Sequence, residues 1–196
     1  TVGEGRFVQV DCARSHSVAL CDDGSVCSWG RGALGVLGHG DEEDVEMPRR
    51  ISALLRVRIA SIACGPYHSA AIDTHGRLFS WGWALEAPDV WAVAGTQPKE
   101  TYVASPCRLP EWRGPSELAA FVGVACGCYA TAAWDAAERL YTWGDGSSGQ
   151  LGLAGCASVA TPKRVEAGSA VVGAAFGGAS AHSGFLLVRT RDGLLS

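Results

Sequence analysis

Ser28-Trp29-Gly30, Ser80-Trp81-Gly82 and Thr142-Trp143-Gly144 are one phrase written three times. Each copy closes a short run of alternating character. A His-Ser pair lies upstream of the first two, at His16-Ser17 and His68-Ser69, and His precedes Trp by 13 residues in both (29 − 16, 81 − 68). In the third copy Ala130 stands at the same distance of 13 (143 − 130). Downstream, Pro48 and Pro162 follow their Trp by 19 (48 − 29, 162 − 143). Self-similarity at a period of roughly 50 residues marks a repeat architecture, in which one supersecondary unit buries its apolar face only against its neighbour.

Within the second copy, Val57 to Cys64 alternates large and small residues and ends at Gly65. Tyr67 to Asp73 is a second apolar run, Thr74-His75-Gly76 a turn, and Arg77 to Trp81 a third run closed by Gly82. Short β-rich runs punctuated by Gly and Asp predict antiparallel strands joined by tight turns. Asp22-Asp23-Gly24 supplies the turn in the first copy, where Gly accepts a positive φ. Ala136-Ala137-Glu138 fills that place in the third, so a different turn is expected there. Gly-rich loops follow the Trp at Arg31 to Gly38 and at Asp145 to Gly152. No Lys-Ser or Lys-Thr follows them and no helix pattern begins there, so they read as strand crossovers and not as phosphate loops.

Cys64-Gly65-x-x-His68-Ser69, Gly76-Arg77-Leu78-Phe79-Ser80-Trp81-Gly82 and Gly149-Gln150-Leu151-Gly152 with Pro162 beyond it, in this order and spacing, resemble the regulator-of-chromosome-condensation repeat family. The resemblance covers about residues 7 to 196. It implies an all-β fold: a partial β-propeller built of four-stranded antiparallel blades, part of a propeller that in this family usually has seven blades. One partial propeller domain is expected, with repeats at about 7–56, 57–117 and 118–169 and an incomplete fourth at 170–196. In the fourth, Ala181-His182-Ser183 restarts the phrase and Asp192-Gly193 is its turn, which places the next Trp beyond Ser196. A partial ring leaves blade faces and edges open. The remaining propeller blades from the same polypeptide are the simplest completion, ahead of a second copy or a partner chain.

The net charge of −4 argues against a nucleic-acid ligand, which calls for a basic face. Arg49-Arg50 with Arg56 and Arg58 is the one basic cluster, and it reads as solvated strand ends. The acidic loop Asp41, Glu42, Glu43 and Asp44 is a solvated loop or a surface for a basic partner. Two uncharged stretches, Leu118 to Trp134 and Ala167 to Val188, align with strand pairs of the repeat, so no membrane segment is expected. The sequence contains no Asn and therefore no N-linked glycosylation acceptor. Of eight Cys, three (Cys12, Cys64 and Cys126) lie four residues before the His position, as small residues packing an inner strand. Cys126-Gly127-Cys128 is too tight for the usual zinc spacing. No metal and no cofactor is expected, and the thiols suit a reducing, intracellular compartment.

His16, Trp29, His68, Trp81 and Trp143 recur with the repeat and read as structural residues, because a catalytic base is rarely copied once per repeat. Ser17 and Ser69 neighbour His on a strand, so their side chains point to opposite faces and form no nucleophile–base pair. No catalytic constellation emerges. The second copy departs from its siblings: Pro106 follows Trp81 by 25 residues (106 − 81), and the Gly-Gln-Leu-Gly element is missing. Trp83, Trp91, Tyr102 and Trp112 fall in this expansion, outside the blade phrase. Trp and Tyr bury large area at low entropy cost, and insertions in repeats map to loops of one face. The expectation is a non-catalytic protein–protein interaction scaffold, docking a protein partner within a larger multi-subunit assembly. The alternative that the resemblance implies is guanine-nucleotide exchange on a small GTPase.

Overall fold

The first repeat folds as a four-stranded meander, β1 (Phe7–Cys12), β2 (His16–Cys21), β3 (Val26–Gly30) and β4 (Val45–Arg50), paired in chain order. The second repeats it with β5 (Ile59–Cys64), β6 (His68–Asp73), β7 (Leu78–Trp83) and β8 (Tyr102–Arg108). The third does so with β9 (Phe121–Cys126), β10 (Ala130–Asp135), β11 (Leu140–Asp145) and β12 (Ser158–Val165). β13 (Val171–Gly177), β14 (Phe185–Thr190) and β15 (Gly193–Leu195) form a fourth, three-stranded sheet. This computed structural model describes residues 5–83, 102–108, 120–155, 158–177 and 185–195. All pairings are antiparallel, and the four sheets are blades 1 to 4 of a partial propeller. No helix among the described residues is long and apolar enough to cross a membrane.

The core lies between blades. Val18, Leu20, Val26, Ile51 and Leu54 of blade 1 meet Ile59, Ile62, Phe79 and Trp81 of blade 2. Ala70, Ile72 and Leu78 on the other face of blade 2 meet Val124 of blade 3, with Trp143 packed on them. Ala132, Leu140 and Trp134 then meet Val171, Val188 and Phe176 of blade 4. The two inner sheets bury both faces, which is why their strands read as apolar runs. The inner strands are also tied by polar contacts. The Gln9 amide on β1 donates to Ile62 O (2.9 Å) and accepts from Ile62 N–H (3.2 Å) on β5. Asp11 Oδ2 accepts from Cys64 N–H at 2.9 Å.

The Gly of the Trp-Gly phrase has a steric cause. Gly30, Gly82 and Gly144 hold φ of 108°, 98° and 108°, and a Cβ on any of them would lie within 2.6 Å of the carbonyl oxygen of Ser15, Tyr67 or Tyr129. Only glycine takes that backbone and that approach. The third hairpin turn corrects an expectation. Glu138 N–H donates to Asp135 O at 2.9 Å, as Gly24 N–H does to Cys21 O and Gly76 N–H to Asp73 O, so the turn is the same in all three blades. Glu138 enters it at φ 62°, a left-handed conformation that glycine takes elsewhere.

The two structural histidines bond to hydroxyls of the next blade. His16 Nε2 lies 2.9 Å from Ser69 Oγ, and His68 Nε2 lies 2.9 Å from Thr131 Oγ1. Ser69 Oγ donates onward to Val36 O (3.0 Å), so His16 is the donor through Nε2–H, which leaves its buried Nδ1 without a partner among the described residues. Burial lowers both imidazole pKa values to about 4. In blade 3 the His position is Ala130, and the hydroxyl position it would face in blade 4 is Leu186, paired with Phe176 as Ser69 is with Cys64. The fourth phrase is shifted as well. His16 and His68 stand eight residues before Gly24 and Gly76 (24 − 16, 76 − 68), and eight before Gly193 is Phe185 (193 − 185). Phe185 opens β14 opposite Gly177, in the place of His, while His182 lies outside the described residues.

Candidate functional site

The same three repeat positions build one end of each blade: the two residues before the His position and the residue that follows Trp-Gly. Arg31 N–H donates to Ser15 O (2.8 Å), Trp83 N–H to Tyr67 O (2.7 Å) and Asp145 N–H to Tyr129 O (2.9 Å), so the three ends are geometrically equivalent. Their chemistry is not. Blade 1 presents Arg14, Ser15 and Arg31; blade 2 presents Pro66, Tyr67 and Trp83; blade 3 presents Cys128, Tyr129 and Asp145.

In blades 2 and 3 these positions form an aromatic cluster. Tyr67 and Tyr129 stack with ring centroids 4.9 Å apart and planes 6° from parallel. Trp83 lies 4.7 Å from Tyr129 at 58° and 6.4 Å from Tyr67 at 62°. All three rings are half-buried. Burial, with a hydrogen bond shared with Tyr67, raises the Tyr129 phenol above its ordinary pKa, so it stays protonated at neutral pH. Tyr102 opens β8 directly opposite Trp83 in the β7–β8 ladder. Two of the four aromatic residues singled out from the sequence thus stand side by side, and Trp91 and Trp112 lie outside the described residues. Tyr67 and Tyr129 escaped the sequence reading. Their signal was available: both occupy the position just before the His site, where the first copy has Ser15.

Beside the cluster, toward the inner strands, opens a cavity of about 260 Å³ lined by Cys12, Arg14, Cys64, Cys126, Tyr129 and Phe176, among others. Burial pushes the Cys64, Cys126 and Cys128 thiols above their ordinary pKa, so these sulfurs are neutral thiols. Among the described residues no group of three or more His, Cys, Asp or Glu is placed to hold a metal ion.

The acidic loop holds its own backbone. Asp44 Oδ1 accepts from Gly32 N–H (2.9 Å), Glu42 Oε1 from Leu34 N–H (2.7 Å) and Asp41 Oδ1 from Glu43 N–H (3.2 Å). Leu34 is held at φ 62°, so Glu42 stabilises an unfavourable backbone there. Gly40 N–H donates to Ala104 O at 2.9 Å, which lays this loop across β8. Glu42, Glu43 and Asp44 remain exposed. His16, His68 and Trp81 are buried between blades, Trp143 is half-buried on the blade 2 face, and Trp29 is half-buried with Phe7 stacked on it at 6.1 Å.

A family model described as "Regulator of chromosome condensation (RCC1) repeat" matches residues 23–72 and 138–183. The ultraviolet-B receptor UVR8 of Arabidopsis thaliana is 32% identical over 159 residues, covering 81% of this chain and 34% of the receptor. The crystal structure of human WBSCR16 superposes with a TM-score of 0.78 at 23% identity, over 96% of this chain and 46% of that one. Prp20p from Saccharomyces cerevisiae, whose structure is described with its binding properties to Gsp1p and histones, superposes at 0.69 and 24% identity over 86% of this chain and 41% of its own. The chain therefore spans about a third of the receptor's length and less than half of each of these two structures.

Proposed function

We propose that this chain, which belongs to the RCC1 repeat family, is a non-catalytic scaffold that docks a protein partner on the blade end carrying Tyr67, Trp83 and Tyr129. One observation carries the reading. At positions equivalent in every repeat, blades 2 and 3 gather three half-buried aromatic rings on rigid strand ends, where the repeat itself requires none. Large aromatic side chains held this way are the usual anchors of protein interfaces, because they bury area with little rotamer entropy to lose. The free thiols among the described residues fit an intracellular setting.

The test is crosslinking mass spectrometry on the native protein purified with what it holds, followed by Trp83→Ala and Tyr129→Ala. A stable partner crosslinked beside the second blade and lost from both variants supports docking. A partner that persists on both variants removes this face from the interface. Gsp1p binding is described for the similar Prp20p. A co-purifying small GTPase released by GTP therefore replaces the scaffold reading with nucleotide exchange, in which the nucleotide-free state is the one preferentially bound.

A further inference from the structure

We propose that Ser52 is a phosphorylation site, modified by an arginine-directed serine kinase with ATP as donor. The site lies at the end of the outer strand of blade 1 and does not depend on the docking reading. Six hydroxyl residues follow an arginine by three positions: Ser17, Ser52, Ser61, Ser80, Ser116 and Thr142. Only Ser52 has arginines both three and two positions before it, Arg49 and Arg50 (52 − 49, 52 − 50). Ser17, Ser61 and Ser80 are half-buried inside paired strands, Thr142 is fully buried, and Ser116 lies outside the described residues. Ser52 is exposed, and its hydroxyl has no hydrogen-bond partner among the described residues.

The local backbone presents this segment in the form a kinase reads. Such enzymes bind the acceptor segment extended, and their carboxylates pair with guanidinium groups upstream of the hydroxyl. Arg49 and Arg50 end β4, the outermost strand of its sheet, and Ile51 continues extended at φ −77° and ψ 108°. Pro48, within β4, keeps that edge from taking a further strand. Ile51 and Leu54 are buried in the core, whereas Arg49, Ser52 and Ala53 are exposed. Ser52 opens a single 3-10 turn, Ser52–Leu54, closed by Leu54 N–H to Ile51 O (3.1 Å) and Leu55 N–H to Ser52 O (3.2 Å). Both bonds are at the long end of the normal range, so the turn opens locally at little cost. Arg49 makes no ion pair among the described residues. Arg50 pairs with Asp23 at 3.0 Å, but both side chains are partly exposed, so the pair yields readily to another carboxylate. Asp23 then keeps the Ser25 N–H (2.8 Å) and Ser25 Oγ (2.6 Å) as donors.

ATP balances the step. The bond from its γ-phosphorus to the ADP oxygen breaks, the bond from that phosphorus to Ser52 Oγ forms, and the hydroxyl proton passes to the kinase's base. The product carries roughly two negative charges, about half of what Arg49, Arg50, Arg56 and Arg58 carry with opposite sign. The one basic cluster of the chain is thereby partly neutralised, while Ile51 and Leu54 anchor the turn on either side.

The experiment maps phosphate by mass spectrometry on the native protein purified with phosphatase inhibitors. The dephosphorylated protein is then labelled with ATP and the catalytic subunit of cAMP-dependent protein kinase, with a synthetic peptide of residues 46–58 as the unfolded reference. Phosphate is expected on Ser52 of the isolated protein, and labelling of the folded chain should vanish in Ser52→Ala. Arg49→Ala should lower kcat/KM at Ser52 by about tenfold or more, as for a lost charge-assisted pair. Arg49 is exposed, so this variant folds. Labelling of the peptide but not of the folded protein would mean that the fold shields Ser52, and would overturn the site. An isolated protein with no phosphate on Ser52, or a rate at Ser52 indifferent to Arg49, overturns it equally.

Discussion

Glu138 shows how the repeat imposes a conformation on a residue poorly suited to it. Gly24 and Gly76 take φ of 83° and 77° at this turn position, and Glu138 takes 62° because the blade on either side fixes the turn. A non-glycine residue there costs about 1 kcal/mol. Glu138 also pairs with Arg191, but the Arg191 side chain is 70% exposed, so the pair adds little. Glu138→Gly should therefore raise stability by roughly 0.5–1 kcal/mol, read as a higher urea midpoint; an unchanged or lower midpoint would show that the Arg191 contact outweighs the strain. The histidines give the pH dependence. Burial lowers the folded pKa of His16 and His68 to about 4, below the value of 6.5 for a free imidazole, so the unfolded chain binds the extra proton first. Their stability is fully present above pH 6.5 and is lost as pH falls from there toward 4, by about 3 kcal/mol for each histidine. Replacing both with Gln should flatten that segment of the stability–pH curve, and a curve of unchanged slope would place the titration elsewhere.

Individual strands and turns were legible because backbone sterics wrote the phrase: the Trp-Gly glycines are forced by a neighbouring carbonyl, and that constraint survives in every copy. The pairing of His with a hydroxyl on the next blade was not legible, since it joins positions 53 and 63 residues apart that no local pattern links. The site was only half legible for a related reason. Trp83 stood out as an extra Trp, whereas Tyr67 and Tyr129 gain meaning only once the blades bring them into contact. The outer strands share a further device. Pro48, Pro106 and Pro162 each sit in the fourth strand of a blade, with Arg50, Arg108 and Arg164 two residues on. Pro removes a donor and Arg adds charge, and both block pairing of an edge with another chain. The Gly-rich crossovers are tied down just inside those edges. Ser28 Oγ donates to Leu37 O (2.6 Å) and Thr142 Oγ1 to Leu151 O (2.7 Å), with both hydroxyl residues fully buried. In blade 2, where that loop element is missing, Ser80 Oγ donates to Ser69 O (3.2 Å) instead. Thr142→Val keeps the shape but strands a buried carbonyl, at a cost of about 1–3 kcal/mol. Ser80→Ala, at a half-buried site, should cost clearly less in the same denaturation series. Equal losses would mean that the crossover is not held by this bond.

Across the whole molecule, the two end faces carry the apolar surface that inner blades bury. Val10 is 52% exposed, while its equivalents Ile62 and Val124 are 1% and 6%. At the other end Phe185 and Leu187 are 51% and 36% exposed, against 0% for Ala70 and Ala132 at the place of Leu187. Each exposed face needs another blade. A second copy docked head to tail is the economical candidate, because the two faces are the two halves of the interface repeated inside the chain. The side chains argue against it. Blade 1 offers Ser17, a hydroxyl at the position that takes a histidine at the two inner interfaces, and Ser17 Oγ turns back to Cys12 Sγ at 3.4 Å. Blade 4 offers Phe185, where the matching blade would supply that histidine. Phe185 against Ser17 leaves the hydroxyl without its imidazole and sets an aromatic ring on a polar atom, whereas at the blade 3–blade 4 interface, where Ala130 takes the histidine position, the hydroxyl position is the apolar Leu186. The blade that fits blade 4 therefore carries an apolar residue where blade 1 has Ser17, and the blade that fits blade 1 carries a histidine where blade 4 has Phe185. These are two different blades, and neither is present among the described residues. Light scattering on the chain of 196 residues should accordingly show no discrete closed dimer, only concentration-dependent association that Val10→Asp and Phe185→Asp each reduce. A sharp dimer that persists at low concentration would mean that the Ser17–Phe185 mismatch is tolerated and that two copies complete one ring.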